Sequence, residues 1–462
     1  MRWIGPRRMP TSSSRDGAGV ARALGVARDR PCHGRAWDAL CAAPDPRAGV
    51  LRRTWGPGLD PAGRRSCGPH TRLTAGVPHR SLGDPAVRSG PSIRDDVGVP
   101  TFPRLPLNIE RGALNTLGRA PQPVHRVIGV RSAPSDGASL HPEAALTLRL
   151  LSIAPSSGFE SMPLAKGRAL IDHDAAVLGG PPLPMARVEG VRIPTPSGGI
   201  GGRLYVADER NTDRILVYFH GGGFVVGSLD SVDTVCRFIA RHAGVAVLSV
   251  DYRLAPEHQF PAAHEDALAA FRFAVDQAAA WGHDPRFIAV GGDSAGATMA
   301  TVLCHDLRGS GEVNPSFQLL FYPATDQVGS YPSHEEFAEG FFLTRAQMTW
   351  FRGLVLAGHD PADPRVSPLL AEDLTGLPQA YIAVAGFDVV RDEGEAYARR
   401  LAQSGVPVAL RRHEGLIHSF VNATGVSAAC RDALLEACGA LRAGVGGGLA
   451  LRTGSLATTS GT

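Results

Sequence analysis

From about residue 187 onward the chain alternates short, unbroken apolar runs with stretches in which apolar positions recur every three or four residues. Ile215-Leu216-Val217-Tyr218-Phe219 is the clearest run, inside a strand expected over 214–219, and similar runs stand at 245–250, 287–290, 317–322, 380–384 and 408–411. A strand apolar at every position has two faces to bury. Helical period appears at 231–242, 263–280 and 428–441, and again in the segment following 287–290. Two earlier strands, 187–193 and 202–206, flank a Pro-Ser-Gly-Gly turn, and residues 165–177 suit an amphipathic helix ended by Gly179-Gly180-Pro181-Pro182. Doubly buried strands alternating with helices predict an α/β fold: a mostly parallel central sheet with helices on both faces.

Residues 1–161 show neither period. Pro and Gly break them every few positions, as in Ala43-Pro44-Asp45-Pro46 and Pro100-Thr101-Phe102-Pro103. Such a segment cannot bury enough apolar surface to offset its ordering entropy, so it is expected to be disordered. Charge separates it further. It holds 23 Arg and no Lys against 12 Asp plus Glu, a balance of +11 in a chain whose total is +3, which leaves −8 for the remainder. The basic character thus belongs to the front third, and the acidic remainder would repel phosphate, so no nucleic-acid partner is expected of it. Two readings of the front segment compete: an Arg-rich arm for nucleic acid or an import receptor, and an upstream extension with Met162 as the natural start. The second is preferred, because folded patterning begins directly after Met162. The domain is then expected over 162–442, with cap elements near 162–186 and 325–358, and a Gly-, Ala-, Ser- and Thr-rich tail over 443–462 that is expected to be disordered.

Arg7-Arg8 is not followed by an apolar stretch, and the mildly apolar 144–153 is too short to span a bilayer, so neither secretion nor a membrane partner is expected. The seven cysteines (Cys32, Cys41, Cys67, Cys236, Cys304, Cys430, Cys438) have no C-x-x-C spacing and no His at zinc-finger distance. They read as free thiols of a cytoplasmic protein without a metal.

Candidate chemistry centres on Gly292-Asp293-Ser294-Ala295-Gly296, between the apolar run 287–290 and a small-residue helix. This is the G-x-S-x-G turn that lifts a serine nucleophile out of the end of a strand. Taken alone the pentapeptide equally fits a glycine loop beside an N-capping serine, and its partners decide. His220-Gly221-Gly222-Gly223-Phe224 follows another buried strand, and successive glycines let backbone N–H groups approach a developing oxyanion. Two of those amides with that of Ala295 would make an oxyanion hole. A phosphate loop would need G-x-G-x-x-G or a G-K-[ST] ending, and neither is present. A serine also needs a base, and the base an orienting acid. His418 lies just beyond the last strand, and Asp388 shortly after the run 380–384. Asp392 is the competing acid, more simply read as a helix-start residue. The order Ser294, Asp388, His418 is that of the α/β hydrolases.

Six ordered motifs, His220-Gly-Gly-Gly-Phe, Asp251-Tyr-Arg-Leu-Ala-Pro-Glu-His, Gly292-Asp-Ser-Ala-Gly, Asp363-Pro-Arg-Val-Ser-Pro-Leu, Asp388-x-x-Arg-Asp-Glu-Gly and Ile417-His418, together resemble the bacterial hormone-sensitive lipase family of α/β-hydrolase carboxylesterases. The resemblance implies Ser294 as nucleophile, His418 as base then acid, and Asp388 as its carboxylate. It implies Gly222, Gly223 and Ala295 as oxyanion donors, with Gly221 a further candidate, His220 as a brace of that loop, and residues 252–258 as a structural signature. Two departures stand out. Gly179-Gly-Pro-Pro runs almost directly into Arg187, so the cap is expected to be reduced and the pocket more open, with the remaining lid supplied by 325–358 and its Phe337, Phe341, Phe342, Met348, Trp350 and Phe351. Those aromatics equally suit ordinary helix packing. The second departure, Ser231-Val232-Asp233 after the oxyanion loop, has no assignable catalytic role.

The expected activity is a serine carboxylesterase acting on small, uncharged short- to medium-chain esters with water, without cofactor or metal. A homodimer is compatible with the resemblance. An amidase or lactone hydrolase on the same triad is the near alternative, and a non-catalytic small-molecule receptor on this scaffold the distant one, disfavoured by the presence of Ser, Asp and His together.

Overall fold

The computed structural model describes residues 106–118, 139–153, 158–209 and 213–445. Eight strands form one sheet: β1 (Arg187–Ile193), β2 (Ile200–Val206), β3 (Ile215–Phe219), β4 (Ala246–Asp251), β5 (Ile288–Asp293), β6 (Gln318–Phe321), β7 (Ala380–Phe387) and β8 (Val408–Ile417). Their spatial order is β1-β2-β4-β3-β5-β6-β7-β8. β1, β2 and β4 pair antiparallel, and every pair from β4 to β8 is parallel. The helices are α1 (Leu107–Gly118), α2 (Pro142–Ile153), α3 (Leu164–Leu178), α4 (Asp233–Ile239), α5 (Ala262–Gln277), α6 (Ala295–Leu307), α7 (Pro332–Glu336), α8 (Arg345–Leu356), α9 (Arg391–Gln403) and α10 (Ala428–Gly444).

The unbroken apolar runs occupy the middle of the sheet, as two-sided burial requires. Along β3, Leu216 and Tyr218 pack with Val235 of α4 and Leu434 of α10. Ile215, Val217 and Phe219 pack on the other face with Phe271 of α5, Leu303 of α6 and Leu401 of α9. The edge strands are different: β1 carries Arg187, Glu189 and Arg192 and is largely exposed, and β8 carries Arg411, Arg412 and Glu414, with Arg411 and Glu414 exposed. Charge on an edge discourages pairing with another chain.

β7 and β8 run further than their apolar runs indicate, ending at Phe387 and Ile417, with a register shift between Ala385 and Phe387. Gly386 lies in that irregularity, and a Cβ on it would collide with the Glu414 backbone. Its missing side chain lets the two strands stay together to their carboxyl ends, so Asp388 and His418 are the residues immediately after them.

The expected domain boundary at Met162 is corrected. α2 buries Ala144, Ala145, Leu146 and Leu148, with Leu140 just ahead of it. The buried Glu143 accepts hydrogen bonds from the Ser427 hydroxyl (2.7 Å) and the Ala429 amide (3.1 Å) at the start of α10. The His141 amide donates to the Gly415 carbonyl of β8 (2.9 Å). α1 packs on α3, where Arg111 donates twice to the Ala176 carbonyl (2.9 and 2.7 Å) and His173 meets Glu110 (2.9 Å). The helical layer in front of β1 is therefore not confined to 162–186, and the expectation of a reduced cap counted two of its helices as extension. At the other end α10 runs to Gly444 with Val445 buried, past the expected boundary at 442. The rest of the expected disorder, residues 1–105, 119–138, 154–157 and 446–462, lies outside the described residues.

Candidate active site

β5 delivers Ser294 on a turn with φ 52° and ψ −120°, a region that side-chain-bearing residues rarely occupy. The flanking glycines are needed for space. A Cβ on Gly292 would strike the Phe219 carbonyl and the Gly296 backbone, and one on Gly296 would strike the Phe219 and His220 carbonyls. α6 thus starts hard against the end of β3, and its first turn is pinned by the Thr298 amide to the Ser294 carbonyl (3.0 Å) and the Thr298 hydroxyl to the Ala324 carbonyl (2.6 Å).

His418 joins the other two residues. Its Nε2 is 3.0 Å from Ser294 Oγ and its Nδ1 is 2.7 Å from Asp388 Oδ2. Asp388 is fully buried and His418 nearly so. Asp388 also accepts the Val390 amide at 3.1 Å, which leaves Oδ2 aimed at the ring. With Nδ1–H donating its hydrogen bond to the carboxylate, Nε2 is left bare to accept the serine proton. Asp392, the competing acid, is engaged elsewhere: it accepts the Ser333 amide (2.9 Å) and pairs with Arg391 (2.7 Å).

The glycine loop divides. Gly222 and Gly223 have φ of 106° and 60°, conformations open to glycine. Among the described residues, no protein acceptor takes the amides of Gly222, Gly223 or Ala295, and Gly223 and Ala295 line the cleft with Ser294. Gly221 does not join them, because its amide donates to Asp293 Oδ1 at 3.0 Å. Tyr218 donates to the same oxygen, also at 3.0 Å. Burial raises the Asp293 carboxyl to about 6. His220 braces the loop: its Nδ1–H donates to the Gly221 carbonyl (2.7 Å), and Tyr252 stacks on the ring at 4.2 Å while its hydroxyl donates to the His220 carbonyl (2.7 Å). Burial lowers the His220 imidazole to about 4, so the brace is neutral.

The signature 252–258 is structural, as expected. Besides Tyr252, Arg253 forks onto the buried Asp266 (2.9 Å) and Glu257 takes both arms of Arg168 from α3 (2.8 and 2.7 Å). Asp233, in the unassigned departure, accepts from Tyr205 (2.9 Å) and Arg237 (2.7 Å), which is packing work.

The serine opens into a cleft enclosing about 710 Å³, part of it open to solvent. Phe224, Leu343, Met348, Phe351 and Val355 supply apolar wall, and Gln327, Arg352, Arg365 and His264 supply the polar positions. The aromatics of 325–358 therefore split. Phe337 is buried against Phe341 and Phe387, at ring separations of 5.3 and 5.6 Å, and is core. Met348 and Phe351 face the cleft. Sequence reading missed Asp293, His264 and Arg168; the first was visible as the x of G-x-S-x-G, while the others carry no local signal.

Among the described residues no group of His, Cys, Asp and Glu could hold a metal, and no helix is long and apolar enough to cross a membrane. Cys236, Cys304, Cys430 and Cys438 are free and buried.

Residues 216–422 match the family model described as alpha/beta hydrolase fold. A carboxylic ester hydrolase of Mycobacterium tuberculosis, LipN, is 41% identical over 334 residues, covering 70% of this chain and 88% of its own length. Ethyl acetate hydrolase of Pseudomonas putida is 36% identical, covering 61% and 92%. Among solved structures, a metagenomic ester hydrolase from Lake Arreo superposes with a TM-score of 0.63 at 40% identity, covering 66% of this chain and 99% of its own. The hyperthermophilic esterase of Pyrobaculum calidifontis gives 0.63 at 36% identity, covering 66% and 98%. The match to LipN covers more of this chain than the part that follows Ser161, so the similarity reaches in front of Met162 into the region of α2.

Proposed function

This chain belongs to the hormone-sensitive lipase-like family of α/β hydrolases, and on that footing we propose that it is a serine carboxylesterase working through an acyl-enzyme on Ser294. The observation that carries the reading is the continuous bond path from Asp388 through His418 to Ser294 Oγ at the mouth of an apolar cleft. In acylation His418 Nε2 takes the hydroxyl proton as Oγ bonds to the ester carbonyl carbon. The oxyanion is met by the amides of Gly222, Gly223 and Ala295, each contributing roughly 3 kcal/mol to the transition state. The tetrahedral species collapses as His418 returns the proton to the leaving alkoxide, and a water activated by the same imidazole then releases the acid. The substrate is a small uncharged ester with a short to medium acyl chain, since apolar side chains line most of the cleft. The free buried thiols fit a reducing, cytoplasmic setting.

The test is hydrolysis of p-nitrophenyl butyrate by the intact chain and by Ser294→Ala, alongside a matched anilide and a lactone. Ester turnover that falls to background in the variant supports the reading. Turnover surviving in Ser294→Ala removes the nucleophile, and preferred cleavage of the anilide or lactone reassigns the substrate class.

A further inference from the structure

The four neighbouring strands β5, β6, β7 and β8 each deliver the residue that follows them to the same edge of the sheet. Three of those residues are Ser294, Asp388 and His418, and the fourth is Tyr322, directly after β6. Its backbone is held in the left-handed region, at φ 37°, which a side-chain-bearing residue adopts only where its surroundings impose it. The Tyr322 amide donates to the Ala383 carbonyl of β7 at 2.6 Å, and beside it the Ser294 amide donates to the Phe321 carbonyl at 2.9 Å. The side chain so placed is fully buried. Its ring centroid lies 4.6 Å from that of His418, tilted by 52°, and 5.1 Å from that of Phe420, nearly edge to face at 76°. His418 and Phe420 flank Ser419, itself at φ 64°, so one tyrosine packs against both arms of the turn that carries the catalytic imidazole. The hydroxyl stands beside the Val421 backbone, and burial pushes the phenol well above its ordinary pKa, so Tyr322 presents a neutral ring to His418.

We propose that Tyr322 is a positioning residue for ester hydrolysis, whose ring holds the plane of His418 while Nε2 passes the proton of Ser294 Oγ to the leaving alkoxide. The inference rests on the esterase reading above, in which His418 is base and then acid. The hydrogen bonds at Nδ1 and Nε2 fix two points of the imidazole, and a ring held at two points still rolls about the line that joins them. Once Oγ has given up its proton and bonded to the ester carbon, the second of those points is lost. Nε2–H must then face the alkoxy oxygen, which takes the proton as its bond to the carbonyl carbon breaks. A misplacement of about 1 Å at this step costs on the order of a hundredfold in rate. A large rigid ring packed against the imidazole removes the roll. How much the reaction needs Nε2–H depends on the leaving group: ethoxide is too basic to depart without the proton, whereas p-nitrophenolate departs with little help.

The experiment compares ethyl butyrate with p-nitrophenyl butyrate, which share one acyl-enzyme and differ in how far the leaving group needs a proton. kcat/KM, which reports acylation, is measured for the full chain and for its Tyr322→Leu and Tyr322→Phe variants. Tyr322→Leu should lower kcat/KM by roughly a hundredfold for ethyl butyrate and by about tenfold for p-nitrophenyl butyrate, so the ratio of the two shifts by about tenfold. Tyr322→Phe keeps the ring and should retain both values within a few fold. A structural role alone would lower both esters by one common factor. Should Tyr322→Leu fail to fold, Tyr322→Met, which fills much of the same space with a flexible chain, carries the same comparison. An unchanged ratio in the Leu or Met variant, or a Phe variant that loses as much as they do, overturns the inference while esterase activity stands. Failure of the unaltered protein to turn over either ester overturns the esterase reading itself.

Discussion

The Asp293 carboxylate, one residue before the nucleophile, holds the Gly221 amide at 3.0 Å. The elbow and the oxyanion loop come from the ends of different strands, and this bond fixes one against the other. Tyr218, inside β3, donates to the same oxygen, so the clamp is anchored in the sheet. Gly221 therefore serves geometry, which leaves the two glycines after it as the loop's candidate donors.

Removing the clamp should cost catalysis more than binding. For Asp293→Ala we expect kcat to fall by at least about tenfold with a smaller change in KM, as befits a misplaced oxyanion loop. Asp293→Asn keeps an acceptor for Gly221 and Tyr218 and should retain most of the rate. The variants also differ with pH. Burial raises the folded carboxyl from 3.8 to about 6, so the ionised form is penalised in the folded state. Stability linked to this group is full below pH 3.8 and is lost as pH rises through about 6, a swing on the order of 3 kcal/mol. Thermal denaturation should show Asp293→Asn gaining on the native protein between pH 4 and pH 7. A constant difference across that window would refute the shift.

Ser294, Asp388 and His418 were legible in the sequence for a physical reason. Each follows an apolar run, a parallel sheet gathers the ends of such runs at one edge, and acyl transfer restricts which side chains are useful there. The clamp was not legible, because Asp293 and Gly221 lie 72 residues apart and their bond depends on how two strand ends are spaced. The same holds for α2. Its Ala- and Leu-containing run sits among Pro and Gly, and its burial depends on Glu143 meeting Ser427 from 284 residues away. The sequence offered Phe337 and Met348 alike as lid positions of 325–358, with ordinary helix packing an equal reading. Only packing separated them, one into the core and one into the cleft.

The choice of Asp388 over Asp392 gives a second test. Asp388→Asn leaves a donor amide or a wrong tautomer at His418 Nδ1, and kcat should fall by roughly three to four orders of magnitude. Asp392→Asn touches Ser333 and Arg391 and should lower the melting temperature while leaving kcat within a few fold. Equal losses of kcat in the two variants would mean that the acid has been misassigned.

A chain beginning at Met162 should be markedly less stable than one that retains α1 and α2. It lacks Leu140, Leu146 and Leu148, all buried, whose loss amounts to roughly 5 kcal/mol. It also strips the Ser427 hydroxyl and Ala429 amide of the Glu143 carboxylate. Denaturant titration of the two chains should show a clear drop in midpoint, or poor solubility, for the shorter one. Matching midpoints would show that α2 contributes nothing to the fold.

Arg168 is the last of the residues whose role emerges from packing. From α3 its Nε donates to the Val225 carbonyl at 2.9 Å and one terminal nitrogen donates to the Ala255 carbonyl at 3.0 Å, while both terminal nitrogens hold Glu257. Val225 is two residues beyond Gly223, so the guanidinium ties the cap helix to the end of the oxyanion loop. The pair with Glu257 is partly exposed and contributes little by itself, at most about 1 kcal/mol. The two carbonyl bonds matter more, because only a planar fork reaches both while facing a carboxylate. Arg168→Lys should therefore behave much like Arg168→Ala, with KM for butyrate esters raised several fold and kcat reduced less. Glu257→Gln, which spares the carbonyl bonds, should be nearly neutral. If Arg168→Lys instead matched the native enzyme while Glu257→Gln did not, the tie would be the ion pair and not the loop contact.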